Sequence, residues 1–95
     1  MSVRFTWDDE NLEHIGRHVV TPGEVEQLLG DYRTLTVPAR AGRLGALGVT
    51  AAGRPLRVVF DLTQDTVRVT TAYPITAKRL ARFLKEAQSE GQEVD

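Results

Sequence analysis

The chain opens on an alternating pattern and then changes period. Val3, Phe5 and Trp7 alternate with Arg4 and Thr6, which predicts a short strand over Val3–Trp7. Asp8 is placed to cap a helix running to about His18, with Asp9 and Glu10 in a first turn where the helix dipole favours acids. Thr21-Pro22-Gly23-Glu24 then spells a capping box with proline at the first helical position. It opens a second helix through Val25, Leu28 and Leu29 that Gly30-Asp31 stops. Period-2 runs follow at Tyr32–Val37, Leu44–Thr50, Leu56–Leu62 and Thr66–Tyr73, separated by the turn-rich stretches Pro38–Arg43, Ala51–Pro55 and Thr63–Asp65. A last helix is predicted from about Ile75 to Ser89.

Short turns between successive strands imply an α+β fold, an antiparallel β-meander packed on one face by α-helices. The pattern places Trp7, Leu12, Ile15, Leu28, Val58, Phe60, Val69, Leu80 and Phe83 in one core. Leu56, Val58, Phe60 and Leu62 share a strand face, as do Val67, Val69, Thr71 and Tyr73, which leaves Arg57 and Arg68 on the open face of the sheet. In the last helix Leu80, Phe83, Leu84 and Ala87 cluster on one side, with Lys78, Arg79, Arg82 and Lys85 on the other.

Ninety-five residues make one domain, with an end expected to fray from about residue 90. The absence of cysteine removes disulfides and thiolate metal sites. No run approaches the roughly 18 apolar residues of a membrane span, and the charged start lacks a signal-peptide core, so a cytoplasmic location is the expectation.

Charge changes the picture more than composition does. The net charge is −1, yet residues 1–32 carry seven acids against Arg4 and Arg17, and residues 33–85 carry ten basic residues against Asp61 and Asp65. Such a basic middle is what an anionic ligand would feel. Ten of the twelve basic residues are arginine, whose planar fork suits phosphate.

Three constellations could carry chemistry. The basic set comprises Arg54, Arg57, Arg68, Lys78, Arg79 and Arg82, with Arg40 and Arg43 in a neighbouring loop. RNA cleavage through the 2′-hydroxyl needs cations on the phosphate, a base and an acid, and such a set supplies the cations; the plainer alternative is a solvated face. His14 and His18 stand four residues apart on the first helix with Asn11 on nearly the same side. Zinc would need further ligands that the sequence lacks. An imidazole bonded to backbone at the helix end and a general acid or base at His18 both remain open, since imidazole titrates near neutral pH. Of Trp7, Tyr32 and Tyr73, only Tyr73 is placed beside the basic helix to stack on a base or donate a phenolic proton, with core packing as its alternative. Gly42, Gly45 and Gly48 do not sit in the strand–glycine–helix order of a phosphate loop.

Several short motifs occur in a fixed order. Phe5-Thr6-Trp7-Asp8 is followed by Asn11, Ile15-Gly16-Arg17-His18 and Val20-Thr21-Pro22-Gly23-Glu24-Val25. Then come Leu47-Gly48, Ala52-Gly53-Arg54-Pro55-Leu56, Val58-Val59-Phe60, Val67-Arg68-Val69-Thr70-Thr71-Ala72 and a charged last helix. This resembles the BrnT-like toxins of bacterial type II toxin–antitoxin pairs, over residues 3 to about 85. Their pattern has an F-x-W-D opening, an asparagine, a basic residue before histidine, G-R-x-L-x-V-V, and R-I-I-S-A-R leading into a helix with E-R-x-x-Y. The resemblance implies a RelE-like fold, RNA cleavage without a cofactor, and neutralisation by a small antitoxin with a ribbon-helix-helix DNA-binding part. It puts His18, Arg54 and Arg68 at motif positions. Tyr73 stands where the family has arginine, Lys78-Arg79 replace its Glu-Arg pair, and Phe83 replaces its last-helix tyrosine. The catalytic set expected is therefore His18, Arg54, Arg68 and Tyr73, with Arg57, Lys78, Arg79 and Arg82 on phosphate. A non-catalytic interaction module on the same scaffold is the alternative that those three departures favour.

Overall fold

A computed structural model describes residues 3–92. The elements run β1 (Arg4–Thr6), α1 (Asp9–Arg17), α2 (Pro22–Leu29), β2 (Leu35–Pro38), a 3-10 turn (Arg40–Gly42), β3 (Leu44–Val49), β4 (Pro55–Thr63), β5 (Thr66–Pro74) and α3 (Ala77–Gln92). The protein is α+β, with one five-stranded sheet in the order β1-β5-β4-β3-β2. Residues 93–95, in the end expected to fray, lie outside the described residues.

Both helix starts follow the capping chemistry legible in the sequence. The Asp8 carboxylate accepts from the Asn11 N–H while the Asn11 side chain accepts from the Asp8 N–H, and Thr21 and Glu24 do the same for α2. One face of the sheet packs on these two helices. Ile15, Val20, Val25 and Leu28 meet Ala46, Leu56, Val58, Phe60, Val67, Val69 and Ala72 there. Gly48 lets α2 come close, because a Cβ at that position would meet Thr34 Oγ1 at 2.6 Å and Leu28 Cγ at 3.1 Å.

The expected architecture needs several corrections. First, the sheet is mixed: β2 to β5 form the antiparallel meander, but β1 pairs with β5 in parallel, Phe5 opposite Val67. Two helices and the first three strands of the meander separate β1 from β5, so no hairpin fixes their sense.

Second, α3 does not share the core of α1 and α2. Leu47 is only 1% exposed, yet it stands opposite Arg57 in the sheet, on the face turned away from Ala46, Val58 and Ala72. Leu80 and Leu84 of α3 line a cavity with Leu47 and Val49, so α3 returns over this second face. Leu80 and Phe83 are half-buried and do not join the main core. Leu12, also expected inside, is 39% exposed, and the nearly enclosed side chains of α1 are Asn11 and Ile15.

Third, the face of β5 changes partway along. Phe60 pairs with Val69 but Val59 pairs with Thr71, so Thr70 is an extra residue, a β-bulge. Val67 and Val69 face the main core, and so does Ala72, while Thr71 and Tyr73 are carried to the second face. The strict alternation expected for Val67, Val69, Thr71 and Tyr73 fails because one unpaired residue reverses every side chain after it. Tyr32 and Arg33, expected in a strand, instead form a turn in which the Asp31 carboxylate accepts from the Arg33 N–H.

Candidate functional site

The bulge brings Tyr73 directly opposite Arg57 across β4 and β5. Arg57 Nη1 donates to Tyr73 Oη at 2.6 Å, and the guanidinium carbon lies 5.9 Å from the tyrosine ring centroid. Because Arg57 donates to the phenolic oxygen, the hydroxyl proton is left free for a different acceptor.

The third member arrives from α1. Because β1 covers β5 only as far as Arg68, α1 runs beside the rest of that edge, and Asn11 Nδ2 donates to Val69 O at 3.1 Å and to Thr6 O at 2.8 Å. Two turns later α1 ends at His18, whose ring centroid lies 5.9 Å from that of Tyr73 at an interplanar angle of 55°. His18, Tyr73 and Arg57 thus form a contiguous row at one end of the sheet. Asn11, read beside the histidines in sequence, is enclosed and ties α1 to the sheet, whereas His14 is exposed.

Arg54 sits behind this row, at the end of the turn between β3 and β4, where Gly53 adopts a φ of 83°. Its Nη1 donates to Val19 O at 2.6 Å and to Glu24 at 3.2 Å and 3.3 Å, and its Nη2 donates to His18 O at 3.1 Å. Glu24 is held below its ordinary range, chiefly by the Thr21 N–H and then by Arg54. Glu24 was legible in the sequence as a capping residue, but its pairing with Arg54 bridges thirty positions and leaves no local signal.

Arg68 does not join the row. It lies five residues before Tyr73 on β5, roughly 15 Å away at about 3.3 Å per residue, and its Nη2 donates to Asp8 Oδ2 at 2.8 Å. Lys78, Arg79 and Arg82 are exposed on α3 and form no ion pair among the described residues. Arg79 stacks over the Phe83 ring at 5.6 Å, so that ring serves as a platform for a cation. Arg43, in the loop before β3, pairs with Asp61 at 3.4 Å.

The cavity of about 390 Å³ between α3 and β3 is lined mostly by apolar groups and by none of these candidates. Along the row His18 is exposed, while Arg57 and Tyr73 are half-buried. Among the described residues no three acidic or histidine side chains are grouped to hold a metal ion, and no helix is long and apolar enough to cross a membrane. No family model, no curated protein and no solved structure matches the chain.

Proposed function

We propose that the chain is a metal-independent endoribonuclease, the toxin of a type II toxin–antitoxin pair on a RelE-like scaffold, acting in the cytoplasm. The observation that carries this reading is the row His18–Tyr73–Arg57: an imidazole and a phenol in contact, with a guanidinium on the phenolic oxygen. The resemblance to the BrnT-like toxins and the exposed cations of α3 support it.

The chemistry follows from those groups. His18 takes the proton of a ribose 2′-hydroxyl, whose oxygen attacks the adjacent phosphorus. The bond from phosphorus to the 5′-oxygen breaks, and Tyr73 gives that oxygen its phenolic proton. Arg57 stabilises the phenolate that results and the charge growing on the phosphate. The products are a 2′,3′-cyclic phosphate and a 5′-hydroxyl, and the imidazolium proton returns to the phenolate through solvent. Lys78, Arg79 and Arg82 hold the flanking backbone of the RNA by charge, a contribution that salt weakens. The partner that covers these cations between cleavage events is the cognate antitoxin, bound through its part outside the ribbon-helix-helix fold.

A second reading, a protein-interaction module without catalysis, draws on Arg54 and Arg68 being held by Glu24 and Asp8 and on Phe83 in place of tyrosine. The two readings separate on one assay. Purified protein in excess EDTA should cut single-stranded RNA and leave 2′,3′-cyclic phosphate ends. Intact RNA, or cleavage that stops in EDTA and returns with zinc, would favour the alternative or a different mechanism.

A further inference from the structure

The turn that carries His18 is held in a conformation its sequence disfavours. Val19 has a φ of 57° and is the only β-branched residue in the left-handed region among the described residues. That region crowds Cβ against the following carbonyl, and glycine is the usual occupant. The hydrogen bonds identify the turn as a Schellman motif ending α1: Val20 N–H donates to Ile15 O and Val19 N–H to Gly16 O, both at 3.0 Å, and Val20 packs with Ile15 in the core. A valine in the glycine position must be held by something outside the motif.

Arg54 is what reaches it. Its guanidinium spans the His18 and Val19 carbonyls, the two that α1 turns outward, and is anchored behind by the Glu24 carboxylate. Its own backbone is fixed, since Arg54 N donates to Thr50 Oγ1 and Thr50 N to Arg54 O. These partners engage both Nη atoms and pair the charge, so only the Nε–H and one Nη2–H of this guanidinium remain for a phosphate.

We propose that Arg54 is a positioning residue, a clamp that fixes the His18–Val19 turn and so sets the His18 ring against Tyr73, and not a ligand of the RNA phosphate. The inference rests on the endoribonuclease reading for its kinetic arm only. Among the hydrogen bonds of the described residues none is made by the His18 ring itself, so its place is set by its backbone and its contact with Tyr73.

The test uses a readout that does not depend on activity. The chain has two histidines, so the ring protons of His18 can be followed by NMR with exposed His14 as the internal reference. Tyr73→Leu calibrates the ring-current shift that tyrosine imposes on His18. Arg54→Ala should abolish most of that shift and lower kcat at least about tenfold, with KM for RNA within about twofold, as expected when a reacting group is misplaced. Arg54→Lys should fare no better, because one ammonium cannot fork across two carbonyls and a carboxylate. Glu24→Gln keeps the capping box and should reproduce a milder loss. A phosphate ligand would behave oppositely: lysine would rescue, KM would rise in Arg54→Ala, and freeing Arg54 in Glu24→Gln would tighten RNA binding. That pattern, or a His18 shift unchanged in Arg54→Ala, overturns the proposal. If the unaltered chain cleaves no RNA, the functional reading fails, and the His18 shifts still decide whether Arg54 is the clamp.

Discussion

Arg57 and Tyr73 are direct cross-strand neighbours whose side chains meet at 2.6 Å on the face of the sheet away from α1 and α2. Their meeting depends on the extra residue at Thr70, without which the alternation of β5 would turn Tyr73 into the core. Bulges recur next to functional sites, where they re-aim a side chain. The same edge of β5 that β1 leaves open lets α1 deliver His18 to Tyr73.

Asn11 should prove to be a structural residue of unusual weight for a polar helix position. It is 1% exposed and satisfies Val69 O, Thr6 O and the Asp8 N–H at once. Asn11→Ala should cost about 2–3 kcal/mol by strandedness of those groups, and Asn11→Asp at least as much, since a carboxylate cannot donate to a carbonyl. Urea denaturation midpoints measure this. A loss below about 1 kcal/mol in both variants would show that β1 and α1 are held to β5 by other contacts.

Much of this was legible in the residues. The order of elements, the Asp8 cap, the Thr21–Glu24 capping box, the tight hairpin between β4 and β5, and the turn of Arg57 and Arg68 away from the main core all follow from local chemistry, although the face they reach is not open and both are half-buried. What the sequence concealed was non-local. An amphipathic α3 fits either face of a sheet, and its apolar stripe does not say which. The clue was in β3, where Leu44-Gly45-Ala46-Leu47-Gly48-Val49 is apolar or glycine throughout, as a strand covered on both faces should be. The bulge at Thr70 had no such mark, because threonine on either side of it suits both faces. The pairings of Arg54 with Glu24 and of Arg68 with Asp8 bring together elements far apart in the chain, so each looked in sequence like an unengaged cation.

Acid should erode stability through two carboxylates. Glu24 lies below its ordinary range, and Asp31 is held down at about 2 by the side chain and N–H of Arg33. A group depressed in the folded state contributes stability that is complete above its unfolded pKa and is lost as pH falls through the folded one. Stability should therefore be flat down to about pH 5 and fall below it. Glu24→Gln should flatten part of that fall in melting curves recorded between about pH 6 and pH 3; a slope identical to that of the unaltered chain would remove Glu24 from the account.

Charge on α3 should govern association more than folding. Arg79 and Arg82 are exposed. Arg79→Glu with Arg82→Glu should leave the thermal midpoint close to that of the unaltered chain, because exposed substitutions usually change stability by no more than about 0.5 kcal/mol. If the proposed function is right, the same double change should slow binding of the cognate antitoxin and reduce its dependence on salt. If affinity and salt dependence stay unchanged, the antitoxin binds elsewhere, and the acidic stretch from Asp8 to Glu26 is the next surface to test.

The row His18–Tyr73–Arg57 is tested most directly by one hydroxyl. Tyr73→Phe keeps the ring that His18 and Arg57 pack against and removes only the oxygen that Arg57 holds. The measurement is the single-turnover rate of RNA cleavage in EDTA for this variant and the unaltered chain, with melting curves to show that both are folded. The rate should fall by about 10²–10⁴-fold, the usual contribution of a positioned general acid, while the variant stays folded. A folded Tyr73→Phe protein that cuts RNA at the unaltered rate would contradict the assignment.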